Sequence, residues 1–338
     1  MRKLASIRRI DAIRPIPGAD AIECAQVGGW TVVVKKNEFA PGDLAVYCEI
    51  DSWIPTALAP FLSRGQEPRV FDNIPGERLR SVRLRGQLSQ GLLLPLDPTC
   101  NAIVSELFEG LDVSVPLGIV KWEAPIPAQL AGEVRGAFPG FIPKTDQERV
   151  QNLSTELADW SQRQLCWEVT EKLDGSSMTV YYRDGEVGVC SRNLELRDTE
   201  SNTLWQVAHR DGIVSCLLDL RFNVAVQGEL IGEGIQGNPY RLRGQSFRVF
   251  DVYLIDQGRY MLPQERQDWC ELNELQTVPV LMHTLTDTGT TVEGLLVSAE
   301  GASELNERAE REGLVFKCMS ENLSFKAISN RFLLKGGN

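Results

Sequence analysis

The sequence holds only two histidines, His209 and His283, and its eight cysteines (Cys24, Cys48, Cys100, Cys166, Cys190, Cys216, Cys270 and Cys318) stand singly. No CxxC pair, no histidine at metal-ligand spacing and no acid/base or nucleophile arrangement around these residues emerges, so chemistry must run on Lys, Asp, Glu and Arg. Lys172 is the first candidate. From Leu165 to Lys172 the residues alternate, with Leu165, Trp167 and Val169 on one face and Cys166, Glu168, Thr170 and Lys172 on the other, which predicts a strand delivering an amine at its polar end. Leu173-Asp174-Gly175 follow, then a strand from Met178 to Tyr182. Asp184-Gly185 is a two-residue hairpin signal, so Glu186 to Arg192 should fold back and bring Ser191 and Arg192 near the level of Lys172. Four later segments repeat the pattern of strand plus polar tip. Val224 to Leu230 presents Gln227 and Glu229, Phe247 to Tyr253 contains Phe250-Asp251, Gly313 to Lys317 follows Glu312, and Ser324 to Ile328 carries Lys326. Strands that each present one or two such groups to a shared cleft make a nucleotide site.

The elements that must hold these groups fall into two parts. A chain of 338 residues exceeds the size of one ordinary core, so two domains are expected. Residues 1–120 read as short strands with turn punctuation, namely Ile22 to Lys36 with a turn or bulge at Gly28-Gly29, Asp43 to Trp53, Leu79 to Leu84 and Gly91 to Leu96. Such spacing suits a small barrel. Arg78, Arg80, Arg83 and Arg85 give it a basic feature, split between the two faces of a strand. Residues 121–142 are rich in Pro, Gly and Ala and read as a linker, and residues 143–338 as the second domain. Thr145-Asp146-Gln147-Glu148 has capping-box spacing, which predicts a helix from there through Trp160. The class is α+β.

Composition, at 43% hydrophobic and 24% charged, is that of a folded globular protein. The net charge of −11 excludes a protein that coats nucleic acid through broad basic faces. Residues 1–140 carry 15 basic and 16 acidic side chains out of totals of 35 and 46, so the acidity, and with it any metal site, belongs to the second half. No long apolar run and no signal-peptide pattern appears, and unpaired cysteines fit a reducing compartment, so a cytoplasmic location is expected.

The ordered series Lys172-Leu173-Asp174-Gly175, Ser191-Arg192, Gly228-Glu229-Leu230, Phe250-Asp251-Val252, Glu312-Gly313-Leu314-Val315-Phe316-Lys317 and Phe325-Lys326-Ala327-Ile328 resembles the covalent nucleotidyltransferase superfamily of polynucleotide ligases and capping enzymes. Within it the chain resembles the ATP-dependent RNA ligases that carry an OB-fold domain in front of the catalytic domain. The likeness extends to Pro143-Lys144-Thr145-Asp146, Arg149-Val150-Gln151-Asn152 and Ile328-Ser329-Asn330. It implies an N-terminal OB-like β-barrel and a C-terminal nucleotidyltransferase domain built on antiparallel sheets.

The resemblance also implies roles. Lys172 takes AMP from ATP covalently, with Lys326 at the α-phosphate and Lys317 near the triphosphate. Glu171, Arg192, Glu229 and Phe250 complete the nucleotide site, Phe250 by stacking on adenine. Asp174, Glu229 and Glu312 are hard oxygen ligands for Mg²⁺ or Mn²⁺. Free lysine is mostly protonated near neutrality, so Lys326, Lys317 and the cation are expected to lower the Lys172 pKa. The implied substrate is RNA, or an RNA/DNA nicked duplex, with 5′-phosphate and 3′-hydroxyl ends, handled by a monomer in RNA repair. Where many superfamily members have Lys-x-Lys in the last motif, Lys326 is followed here by Ile328, and Lys335 is the remaining candidate for the second lysine. The alternatives are a GTP-dependent capping guanylyltransferase, disfavoured by domain order, a DNA ligase, and a non-catalytic RNA-binding module.

Overall fold

The computed structural model describes residues 3–96, 107–123, 132–285 and 291–335. It divides into two compact units, one of Met1–Pro125 with Leu333–Asn338 and one of Ile126–Phe332.

The first unit consists of antiparallel strands in four small sheets. Its clearest local logic is the hairpin of Ile22–Val27 and Trp30–Lys35. Gly28 turns the chain at a φ of 54°, and alternation then buries Ala25, Val27, Trp30, Val32 and Val34 together. A second core gathers Ile7, Val46, Ile54 and Leu94. The expected strand from Leu79 to Leu84 is two strands, Ile74–Arg78 and Val82–Leu84. Leu79 turns into the core between them, which breaks the pleat. Three of the four arginines are divided accordingly. Arg78 donates to Asp51 at 2.7 Å and lies over the Trp122 ring, whereas Arg83 and Arg85 are exposed on the hairpin that Val82–Leu84 forms with Gln87–Ser89.

The second unit is built on two sheets. A seven-stranded antiparallel sheet runs in the order Val134–Ala137, Leu194–Leu196, Glu186–Cys190, Ser176–Arg183, Val224–Gly232, Gln245–Leu254, Arg259–Tyr260. A five-stranded sheet runs Glu148–Arg149, Ser324–Ile328, Gly313–Cys318, Trp167–Lys172, Val280–Leu285, with only the first pairing parallel. Each sheet buries one face under helices. Met178, Val180, Val226, Val249 and Val252 pack against helices Thr203–Arg210 and Ile213–Leu220 through Trp205, Val207 and Leu217. Trp167, Phe316 and Phe325 pack against helices Ser154–Gln162 and Val292–Ser298, with Trp160 stacked on Phe325. The polar faces left over look toward each other and carry the site.

Two expectations are corrected. The stretch read as an irregular linker, residues 121–142, contains the edge strand Val134–Ala137, and Ile142 is buried with Tyr181 and Cys190. Pro139 follows that strand without interrupting it; residues 124–131 lie outside the described ones. The helix expected from Thr145 begins only at Ser154. Glu148 is in a two-residue strand and accepts from its neighbour Arg149 N–H and from Asn152, so no capping box forms. Among the described residues no helix is long and apolar enough to cross a membrane.

Candidate functional site

Lys172 ends its strand opposite Gly313, as the alternation predicts, while Leu173 turns into a separate cluster with Ile231, Tyr240 and Val278. The chain then passes so close to the neighbouring strand that a Cβ on Gly175 would lie 2.5 Å from the Leu230 carbonyl oxygen and 2.8 Å from Glu229. Only glycine fits, and this close passage holds Asp174 against the site. Gly313 is equally constrained, since a Cβ there would meet the Ala327 carbonyl oxygen at 2.2 Å, and it sets Glu312 at the mouth of the same cleft. The result is an ammonium among carboxylates. Lys172 Nζ lies 2.6 Å from Glu312 Oε2, with the side chains 27% and 18% exposed.

The expected lowering of the amine pKa drew on Lys326, Lys317 and a cation together, and the protein groups alone act in the other direction. Burial alone depresses the Lys172 pKa, but the charges of Glu312, Glu229 and Asp174 outweigh it and raise the value above that of an ordinary lysine. The cations expected to oppose this are engaged elsewhere. Lys317 Nζ is 2.5 Å from Asp251, and Lys326 Nζ is 3.1 Å from Asp146. The carboxylates are crowded in turn. Burial and then Glu312 push Asp174 up to about 6, and burial pushes Glu229 up to about 8, with Lys172 pulling against it and Glu312 adding to it. Such a cluster is short of positive charge.

The remaining groups line up along two strands. Lys326 pairs with Val315 and Lys317 with Glu168, so Lys172, Lys326 and Lys317 share the inward face of the five-stranded sheet. Arg192 follows its strand as expected, half exposed, 4.0 Å from Asp146, and its charge is felt at Glu229. Beyond Lys326 a cavity of about 200 Å³ opens between Lys144, Asp146, Asp251, Lys317 and Ser324. Strict alternation would put Phe250 on one strand face with Val252 and Leu254. Instead the register slips, Gln227 pairing with Asp251 and Gly228 with Val249, so Phe250 is the extra residue of a β-bulge. The bulge sends Val249 and Val252 both to the helix side and leaves Phe250 partly buried beside Tyr240 and Val278.

The Glu171 side chain is on the opposite face of the strand from Lys172. Its Oε2 accepts from the Glu304 N–H at 2.8 Å, its Oε1 is buried without a hydrogen-bond partner, and burial raises its pKa. Lys335 is exposed at the end of the helix Asn330–Lys335. Three contributors escaped sequence reading. The Tyr240 hydroxyl accepts from the Asp174 N–H at 2.6 Å, Asp146 pairs with Lys326, and Arg266 forms a buried ion pair with Glu168. Tyr240 and Arg266 carry no local sequence signal. Asp146 stood in a segment whose helical reading drew it away from the site. Among the described residues no three Cys, His, Asp or Glu side chains close into a ready metal cage. The charge-starved carboxylates nevertheless fit a cation held partly through water.

A polar cleft between two sheets, lined by lysines and carboxylates and joined in the chain to a unit of small antiparallel sheets, defines a nucleotidyltransferase with an OB-fold domain in front. A model of the RNA ligase family matches residues 166–335, and an OB-fold domain model matches residues 4–96. Among solved structures, a Naegleria gruberi RNA ligase mutant in the apo state is 48% identical with a TM-score of 0.91, covering 99% of this chain and 98% of that one. A mutant of the same enzyme with ATP and Mn is 48% identical with a TM-score of 0.90, covering 99% of each chain. The enzyme with PPi is 49% identical with a TM-score of 0.90, covering 100% of this chain and 99% of that one. No significant match is found among curated proteins. The chain belongs to the RNA ligase family.

Proposed function

We propose that the chain joins RNA ends in an ATP-dependent reaction that passes through AMP bound covalently to Lys172. The observation that carries this is the placement of Lys172 Nζ against Glu312, Glu229 and Asp174, with Lys326 on the same sheet face, in a chain similar over its whole length to an RNA ligase solved with ATP and Mn.

In the first step Nζ gives up a proton and attacks the α-phosphorus of ATP. A phosphorus–nitrogen bond forms, the bond to the β-phosphate oxygen breaks, and pyrophosphate leaves. Glu312 Oε2 orients the amine, and the proton passes to solvent once added positive charge at the carboxylates lowers the amine pKa. On this reading Lys326 meets the α-phosphate charge, exchanging its pairing with Asp146 for the phosphate, and the cavity bounded by Lys144 and Lys317 takes the leaving group. A 5′-phosphate oxygen of RNA then attacks the same phosphorus, returning the amine and giving an RNA adenylate. A 3′-hydroxyl finally attacks the 5′-phosphorus and expels AMP. Asp174, Glu229 and Glu312 would hold a divalent cation, which when bound supplies positive charge to offset that developing on phosphate oxygens. Phe250 is the platform for adenine. The partnerless Oε1 of Glu171, close enough to Tyr240 to raise its pKa, is an acceptor suited to the exocyclic amine of adenine and not to the oxygen that guanine carries there.

The substrate reading is a nicked duplex with an RNA 3′-hydroxyl strand, in RNA repair by a monomer. The exposed Arg83 and Arg85 of the OB-fold unit are available to phosphates. The seven described cysteines are free, which supports a cytoplasmic setting. The test is incubation with α-labelled ATP or GTP and Mg²⁺, followed by sealing of nicks across RNA and DNA strand combinations. Label from ATP that survives denaturation and disappears in Lys172→Ala is expected. Label from GTP alone would replace adenylation by guanylyl transfer, and sealing indifferent to a 3′-terminal ribose would remove the RNA preference.

A further inference from the structure

Two buried ion pairs converge on a single backbone atom. Glu168, from the Lys172 strand, and Arg266, from helix Pro263–Leu272, are each 1% exposed, and Arg266 Nη2 donates to both Glu168 oxygens at 2.8 and 2.7 Å. Arg266 Nη1 also donates to the Phe250 carbonyl oxygen at 3.2 Å. The second pair is Lys317 with Asp251, and Lys317 Nζ donates to that same carbonyl oxygen. Phe250, as the extra residue of the bulge, has no register partner on the strand beside it, so two cationic donors take the place of the missing ladder.

From this convergence we infer that Arg266, braced by Glu168, is a positioning residue that sets the Phe250 ring as the platform for the nucleotide base. A buried ion pair is poorly explained by stability alone, because apolar side chains of similar volume generally serve as well or better. The guanidinium is not arranged for its own satisfaction either, since its Nε finds no hydrogen-bond partner. Its fork instead spans a carboxylate on one sheet and a carbonyl on the other. Lys317 then acts mainly on Asp251 and Phe250, and so reaches the nucleotide through the bulge as well as by its charge. The inference rests on the reading of Phe250 as the adenine platform.

The test is a double-mutant cycle read by self-adenylation. In Glu168→Met/Arg266→Met the pair is replaced by apolar side chains of similar length, and KM for ATP is expected to rise about tenfold, the size of one lost stacking contact, with kcat changed much less. In a Phe250→Ala background the same double replacement should leave KM unchanged, because the platform is already gone. Should Glu168→Met/Arg266→Met fail to fold, Arg266→Lys carries the test, since its compact ammonium cannot fork to Glu168 and Phe250 together. Full multiplication of the two effects, or an unchanged KM in a folded variant, would overturn the inference and leave Arg266 a structural residue. Absence of any label on the wild-type protein would instead defeat the adenylation reading itself, a distinct result.

Discussion

Replacing Lys172 by methionine removes the positive charge that faces Glu312, Glu229 and Asp174, and the consequence for stability depends on pH. Glu229 and Asp174 are pushed up to about 8 and about 6, above the ordinary values of 4.5 and 3.8. The folded state therefore holds their protons more tightly than the unfolded chain does. Their contribution is fully present below about pH 4 and is lost as pH rises through 6 and 8. Lys172, held above its ordinary value, stays charged throughout this window. At pH 8 the variant loses a charge-assisted hydrogen bond of 2.6 Å and leaves the carboxylates facing one another. Such bonds contribute about 1.5–3 kcal/mol when buried, and partial exposure of both partners reduces this to about 1–2 kcal/mol. In a domain of this size that is a fall in Tm of about 5 °C. At pH 5 Asp174 and Glu229 carry protons, so their mutual repulsion no longer adds to the loss and the fall should shrink to about 3 °C. Thermal unfolding of both proteins in chelator from pH 5 to pH 8.5 measures the difference. Added Mn²⁺ should then raise the Tm of the variant more than that of the wild type. Parallel Tm curves for the two proteins would show that the carboxylates do not sense Lys172, and the electrostatic account of the site would fail.

Three further outcomes are expected. Lys326→Ala should slow self-adenylation by about a hundredfold or more, the usual cost of removing a preorganised charge at a reacting phosphate, with rapid-quench labelling as the measurement. Glu171→Ala should raise KM for ATP by about tenfold, as expected when a charged acceptor is lost to a ligand donor, and narrow the preference for ATP over GTP in competition labelling; unchanged discrimination would return Glu171 to a purely structural role. Tyr240→Phe removes the acceptor for the Asp174 N–H. It should lower adenylation by about threefold to tenfold through a loosened Asp174, visible as a raised Mg²⁺ requirement.

What was legible in the sequence was whatever repeats locally. Alternation placed Lys172, Gln227 and Glu229 on inward faces, and Asp184-Gly185 fixed a hairpin whose strands pair Thr179 with Cys190 through Arg183 with Glu186. The register slip at Phe250 was invisible, because one inserted residue leaves the composition of a strand unchanged while reversing which side chains it buries. The capping box failed because four residues of helix-start spacing are outweighed by pairing of Glu148 and Arg149 with Phe325 and Lys326, nearly 180 positions away. Long-range partners also explain the amine. Sequence order says that Lys317 and Lys326 recur near Lys172 in type but not that Asp251 and Asp146 neutralise them first.

The order of the five-stranded sheet bears on how the enzyme is made. The Lys172 strand lies between Gly313–Cys318 and Val280–Leu285, and Glu148–Arg149 waits for Ser324–Ile328. A nascent polypeptide that has emerged from the ribosome as far as residue 300 contains Lys172 but lacks Glu312 and Lys326, and its central strand has an open hydrogen-bonding edge. Translation that stops early thus yields an inert product with a sticky border, whereas the amino-terminal unit draws nearly all of its strands from the first third of the message. Codon changes or stalls late in the reading frame should therefore cost soluble, active enzyme far more than equivalent changes near its beginning.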